Sequence, residues 1–147
     1  MPTAAKLIGA ALFAVLAWIV SEQVKLFLPS EGAGAGLLSP INALIGLVMG
    51  WRIAGARAGD GITPSTGYGL TTVFATTFWA LLVWAAYEMI NRAWRGRYEG
   101  PVEALEAMGD LMFDYAVLIV EPRVVGFAVI GSFVCAMLTE LAARRWS

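Results

Sequence analysis

Four stretches of the chain contain no charged residue, namely 7–21, 32–51, 61–87 and 124–139. The hydrocarbon core of a bilayer is about 30 Å thick, and an α-helix crosses it with about 20 mostly apolar residues. The pattern therefore predicts an all-α integral membrane protein whose four spanning helices form a bundle. We expect one transmembrane domain over residues 1–147, with spans at about 4–28, 39–58, 68–94 and 123–145.

Local signals suggest where the spans begin and end. Pro29 closes the first span, and the Gly/Ala-rich stretch 31–36 has the composition of a turn. Ser39 is a favourable N-cap and Pro40 a favourable first residue for the second span. A polar stretch at 59–67 separates the second span from the third. Near the end of the first span, Glu22 and Lys25 are three residues apart and are expected to pair.

Residues 101–121 form a different kind of segment, which begins at Pro101 and stops before Pro122. Its acidic residues fall within an arc of roughly 80° on a helix, and the rest of its circumference is mostly apolar. Because such a row is costly inside hydrocarbon, we predict an amphipathic interfacial helix between spans three and four. The row is a candidate docking face for a basic partner; weak binding of divalent cations through its oxygen atoms and a solvated helix face are the alternatives. Its members are Glu103, Glu106, Asp110, Asp114 and Glu121.

Small residues recur at helical spacing in the second and fourth spans. Such positions let another helix backbone approach closely. Two interpretations remain open, an interface between protein chains in a homo-oligomer or larger membrane complex, and packing inside one monomer. The candidate helix-packing residues are Asn42, Gly46, Gly50, Ala128, Ser132 and Ala136.

One charged pair stands out near the ends of the spans. In a four-span arrangement, Arg52 and Glu140 fall near the same membrane face, so they form a candidate ion pair. The alternative is that each side chain extends separately to the interface. The ten Lys and Arg residues divide evenly between the two sides, so the positive-inside rule does not set the orientation.

The composition limits the chemistry that the chain can perform. It contains no histidine and a single cysteine, Cys135, so histidine acid/base catalysis and an intrachain disulfide are excluded. Cys135 lies among apolar residues in the fourth span, as a packing residue would. We therefore predict a non-enzymatic protein with no catalytic, metal-binding or cofactor-binding residues. The net charge of −1 argues against nucleic acid as a partner, and membrane lipids are the expected surroundings.

Six short motifs, distributed over nearly the whole chain, suggest a family. They are MPTAAKL at the start, GLVMGWR at 46–52, YEM at 87–89, GRYEGPVEAL at 96–105, EPRV at 121–124 and AARRW at 142–146. In combination and order they resemble the TrgA family, small membrane proteins of alphaproteobacteria that are linked to tellurite resistance. The resemblance implies a multi-pass protein of the bacterial inner membrane with a role in tellurite tolerance, and it supplies no catalytic residues.

Because the composition offers little redox or transport chemistry, we expect the protein to act through partner proteins. Two alternatives remain. One is an accessory or assembly subunit of a respiratory or photosynthetic membrane complex. The other is a small oligomeric transporter of ions or oxyanions.

Overall fold

A computed structural model describes residues 3–27 and 35–146, and within these ranges the chain contains helices and no strand. Helix α1 covers Thr3–Lys25 and α2 covers Ala35–Met49. Helix α2 continues through a π-helical turn at Gly50–Ala54 and a 3₁₀ turn at Gly55–Arg57. The remaining helices are α3 at Ile62–Trp94, α4 at Pro101–Ile119 and α5 at Pro122–Arg145.

Four helices of the described ranges are long and apolar enough to cross a membrane. They are Ala4–Lys25, Gly36–Arg57, Ile62–Trp94 and Pro122–Arg145. Their outward side chains are apolar as well, and Phe74 of α3 and Ile130 of α5 are 81% and 66% exposed. Apolar surface of this extent suits contact with lipid tails rather than with water. Over the described residues the structure is therefore all-helical, with four helices able to span a membrane, as in a multi-pass membrane protein.

Helix α1 lies between α2 and α5, and α3 packs against α2, α5 and α4. Successive spans run antiparallel. Gly9 near the start of α1 lies opposite Gly50 after the end of α2. Phe13 and Leu16 of α1, Ala54 of the π-helical turn and Cys135 of α5 form a buried apolar cluster. Interhelical packing rather than a hydrophobic driving force holds such helices together, because lipid is as apolar as the core.

Two helices begin earlier than the sequence indicates. Helix α2 begins at Ala35, so Ser39 is inside the helix and its hydroxyl donates to the Glu22 carboxylate of α1 instead of capping α2. Helix α3 begins at Ile62, where the sequence suggests a polar turn that extends to Gly67. Helix α1 ends at Lys25, whereas the predicted end at Leu28 lies outside the described residues. Of the turn predicted at 31–36, residues 31–34 are also outside them and residues 35–36 belong to α2.

Helix α3 is long for a membrane span. Its 33 residues correspond to about 50 Å at 1.5 Å per residue, which exceeds a hydrocarbon core of about 30 Å. Helix α4 packs against α3 and buries Leu111. Tyr115 of α4 lies within the electrostatic influence of Glu88 and Arg92, near the carboxyl end of α3. The pKa of Tyr115 is raised, mainly because burial disfavours the phenolate.

Candidate functional site

Glu140 of α5 is the centre of one polar cluster and is fully buried. Its Oε2 accepts hydrogen bonds from the backbone N–H of Gly59 at 2.7 Å and from the Ser65 hydroxyl at 3.2 Å. Its Oε1 accepts from the backbone N–H of Gly61 at 3.1 Å and from Nε of Arg144 at 3.1 Å. One carboxylate thus joins α5 to the 58–61 turn and to the first turn of α3.

The local backbone explains this arrangement. Gly59 and Gly61 have φ values of +111° and +114°, which favour glycine because other side chains are strained there. The turn that they form directs their N–H groups toward the Glu140 carboxylate. The N–H groups at the start of a helix lack partners within it, so Glu140 supplies acceptors where α3 begins. A buried carboxylate also needs several donors, and this turn provides them.

The predicted partner of Glu140 is corrected by these contacts. Glu140 forms its ion pair with Arg144, one turn later on the same helix. In the ranges that the structure describes, no ion pair connects Glu140 with Arg52, which is exposed in the π-helical turn. Residues at i and i+4 are neighbours on one helix face, so Arg144 can pair with Glu140 within α5, whereas Arg52 would have to reach it from another helix.

A second polar cluster joins α1, α2 and α3 around Asn42. The Asn42 side-chain amide donates to the Ser21 hydroxyl oxygen at 2.9 Å, and its carbonyl oxygen accepts from Nε1 of Trp84 at 2.9 Å. The Ser21 hydroxyl in turn donates to the Ala17 carbonyl at 2.7 Å. The sequence predicts Asn42 as a helix-packing residue. It does not predict the partners Ser21 and Trp84, because they are 21 and 42 residues away in the chain.

Ion pairs occupy the neighbouring helix ends. Glu22 accepts a hydrogen bond from Nζ of Lys25 at 2.8 Å, which confirms the predicted pair. Glu88 and Arg92 of α3 form a similar pair at 2.9 Å. Both pairs are partly exposed, so they contribute little to the free energy of unfolding.

The small residues of the second span lie against α1 of the same chain. A Cβ built on Gly46 would be 2.6 Å from the Phe13 carbonyl oxygen. One built on Gly50 would be 2.6 Å from the Gly9 carbonyl oxygen and 2.8 Å from the Phe13 Cβ. These positions therefore serve close packing of α1 with α2 inside the monomer.

Two of the three candidate packing residues of α5, Ser132 and Ala136, lie against α3. A Cβ built on Gly69 would be 2.7 Å from the Ser132 carbonyl oxygen and 2.8 Å from the Ala136 Cβ. Ser132 and Ala136 are buried, whereas Ala128, one turn earlier, is half-buried. Gly69 was not identified as their partner from the sequence, although its place in the third span permits a close approach.

Helix α4 packs one side against α3 and exposes the other. The face at Leu111 is buried, and four of the predicted acidic residues are exposed on another: Glu103, Glu106, Asp110 and Asp114. Glu121, which follows α4, is half-buried. An exposed apolar row adjoins and partly overlaps the acidic face, since Val117 falls between Glu106 and Asp110 around the helix. The row consists of Val102, Leu105, Phe113 and Val117 in α4 and of Val120 just after it.

The side chains that could support redox or metal chemistry are few. Cys135 is buried, and its Sγ lies 3.7 Å from the Leu12 carbonyl oxygen that accepts its weak hydrogen bond. Over the described residues, no group of three or more His, Cys, Asp and Glu side chains is arranged to hold a metal ion. The polar clusters around Glu140 and Asn42 are instead built from contacts between helices.

Comparisons with protein-family models, with curated proteins and with solved structures give no match for this chain. The similarity to the TrgA family therefore remains a prediction from the motifs.

Proposed function

We propose that the protein is a non-enzymatic multi-pass protein of the bacterial inner membrane that contributes to tellurite resistance through partner proteins. The resemblance of its motifs to the TrgA family supports the role in tellurite resistance. The exposed acidic face of α4 supports the action through partners and is the structural observation on which this proposal rests.

The interfacial position of α4 belongs to the same proposal. The exposed apolar row, centred on Phe113, would lie in the lipid, and the adjoining acidic face, centred on Asp110, would face water. Carboxylates gain nothing from an anionic leaflet, so a basic protein surface is the matching partner. An accessory subunit of a larger membrane complex would use the same face.

The contacts of the two polar clusters favour an adaptor over a transporter. Glu140 is fully buried and receives four hydrogen bonds, and Asn42 is bonded to both α1 and α3. Side chains committed to helix packing in this way serve the stability of the bundle. The proposed activity therefore lies on the surface of α4.

The experiment combines a tolerance assay with photocrosslinking in the source bacterium. The gene is deleted and restored as wild type or as the variant Glu106→Gln, Asp110→Asn, Asp114→Asn, and growth is measured against tellurite concentration. A photoreactive residue at Glu103, an exposed position of the acidic face that the variant leaves unchanged, should trap a discrete protein, while the same probe at lipid-exposed Phe74 should not.

The acidic variant should lose both the trapped protein and the tolerance. A deletion strain as tolerant as the wild type would exclude the role in tellurite resistance. If the variant retained full tolerance after losing the trapped protein, action through the acidic face would be excluded.

A further inference from the structure

The cations and carboxylates divide unequally between the two ends of the bundle. One end consists of the start of α1, the residues from Gly50 to the 58–61 turn, and the end of α5. Its side chains include two carboxylates, Asp60 and Glu140, and five cations, a formal net charge of +3. We call these five residues the cationic end: Lys6, Arg52, Arg57, Arg144 and Arg145.

Contacts between three chain segments place the cationic end in one region. Gly55 lies against α1 so closely that a Cβ built on it would be 2.6 Å from the Cα of Lys6. Arg52 and Arg57 flank Gly55 in the chain. The third segment joins them through Glu140, which accepts the N–H of Gly59 and pairs with Arg144.

The carboxylates of this end leave most of its cations unneutralised. Glu140 is buried and paired with Arg144, and Asp60 accepts a hydrogen bond from the Tyr68 hydroxyl at 3.2 Å. The Arg57 guanidinium lies 5.2 Å from the centre of the Tyr68 ring. Within the described residues, no ion pair is formed by Lys6, Arg52, Arg57 or Arg145.

The opposite end has the reverse balance. Its five cations accompany eight described carboxylates, a formal net charge of −3, and Lys25 and Arg92 are paired with carboxylates of their own helices. The cations are Lys25, Arg92, Arg95, Arg97 and Arg123. The carboxylates are Glu22, Glu88, Glu99, Glu103, Glu106, Asp110, Asp114 and Glu121. Counting Lys and Arg alone gives equal ends, so the asymmetry depends on where the acidic residues lie.

We propose that the cationic end binds the anionic headgroups of phospholipids in the cytoplasmic leaflet. Juxtamembrane Lys and Arg residues are attracted to anionic headgroups, and unpaired cations keep their full charge for that contact. A membrane potential that is negative inside also favours this end in the cytoplasm. The start of α1, the 58–61 turn and the end of α5 then face the cytoplasm, and α4 lies on the opposite side. This proposal does not depend on a role in tellurite resistance.

Lipid selectivity provides the first test. The full chain is reconstituted in vesicles of equal parts phosphatidylcholine and phosphatidylglycerol, and the lipids retained by the protein are counted by native mass spectrometry. We expect enrichment of phosphatidylglycerol, a several-fold loss of that enrichment in the double variant Arg52→Gln, Arg57→Gln, and its retention in Arg52→Lys, Arg57→Lys. The matched control Arg95→Gln, Arg97→Gln removes the same charge from the opposite end and should keep the enrichment.

Three results would overturn the lipid assignment. They are equal retention of the two lipids by the wild type, an equal loss in both Gln pairs, and displacement of phosphatidylglycerol by inorganic phosphate. The last would identify a site for free anions instead. If Arg52→Gln, Arg57→Gln failed to give a cooperative thermal unfolding transition, the pair Lys6→Gln, Arg145→Gln would carry the same test.

The orientation is tested with single cysteines in a Cys135→Ala background. Asp60→Cys lies in the 58–61 turn and Glu99→Cys lies between α3 and α4, and both positions are exposed. A membrane-impermeant maleimide applied to cells with a permeabilised outer membrane should label Glu99→Cys, and should label Asp60→Cys only after the inner membrane is disrupted. Labelling of Asp60→Cys alone while the inner membrane is closed would overturn the orientation.

Discussion

The carboxylate of Glu140 lies 2.7 Å from the backbone nitrogen of Gly59, a residue 81 positions earlier in the chain. This contact connects the last turns of α5 with the turn that precedes α3. It gives a buried charged side chain a structural role in determining where α3 begins. A transmembrane carboxylate is often a functional candidate by default, but this one is bonded to backbone and side-chain donors around it.

Replacing Glu140 should destabilise the protein strongly. Glu140→Ala leaves the N–H groups of Gly59 and Gly61 without their acceptor, and we expect the free energy of unfolding to fall by about 3 kcal/mol. Arg144→Ala should cost less than about 1 kcal/mol, because the Arg144 side chain is 54% exposed and three donors to Glu140 remain. The free energy of unfolding of both variants is measured in mixed micelles of a mild detergent and SDS. Equal losses would show that the ion pair, rather than the turn, is the important contact.

Adding a methyl group at Gly50 should separate α1 from α2. The new Cβ would lie 2.6 Å from the Gly9 carbonyl oxygen, which belongs to helix backbone and cannot move aside alone. We expect Gly50→Ala to lower the free energy of unfolding by about 1–3 kcal/mol. Gly109→Ala in α4 is the control, because its Cβ would meet nothing within 4 Å and alanine favours a helix. The prediction fails if both variants unfold at the same SDS fraction.

The hydrogen bond between Asn42 and Trp84 should appear as a coupling energy between α2 and α3. In a double-mutant cycle of Asn42→Ala with Trp84→Phe, we expect about 0.6 kcal/mol, the average for hydrogen bonds between membrane helices. A parallel cycle with Trp79→Phe should give no coupling, since Trp79 is 45% exposed and packs edge-on against Phe78. A zero value in the first cycle would contradict the bond.

Cys135 should report on the integrity of the bundle. Because its side chain is 8% exposed and faces Leu12 of α1, we expect slow labelling by a maleimide in mild detergent and rapid labelling once SDS unfolds the chain. The labelling rate in Glu140→Ala should exceed that of the wild type at the same SDS fraction. Rapid labelling of the folded wild type would show that α1 does not cover this thiol.

The sequence identified the helices better than their ends. Four uncharged stretches suffice to predict four spans, since a bilayer requires about 20 apolar residues whatever the neighbouring helices are. The start of α3 could not be predicted in the same way. The stretch 59–67 has the composition of a turn, but the donors of its backbone are satisfied by Glu140, which lies far along the chain.

For the candidate packing residues too, the sequence predicted the positions and the structure supplied their partners. Spacing alone marked Gly46 and Gly50 as positions of close approach, and the structure places Gly9 and Phe13 of the same chain against them. The predicted Arg52–Glu140 pair was wrong because sharing a membrane face does not bring two side chains within reach. Arg144 lies one helical turn after Glu140, so its guanidinium reaches the carboxylate on the same helix face.

Composition and periodicity thus determined the class of this protein, its four spans and the acidic row of α4, because burial in lipid depends on the polarity of each segment by itself. The tertiary structure decided which helix each small residue meets, which donors surround Glu140 and how charge is distributed between the two ends. Those features depend on contacts between residues far apart in the chain, and their geometry is fixed only when the helices pack.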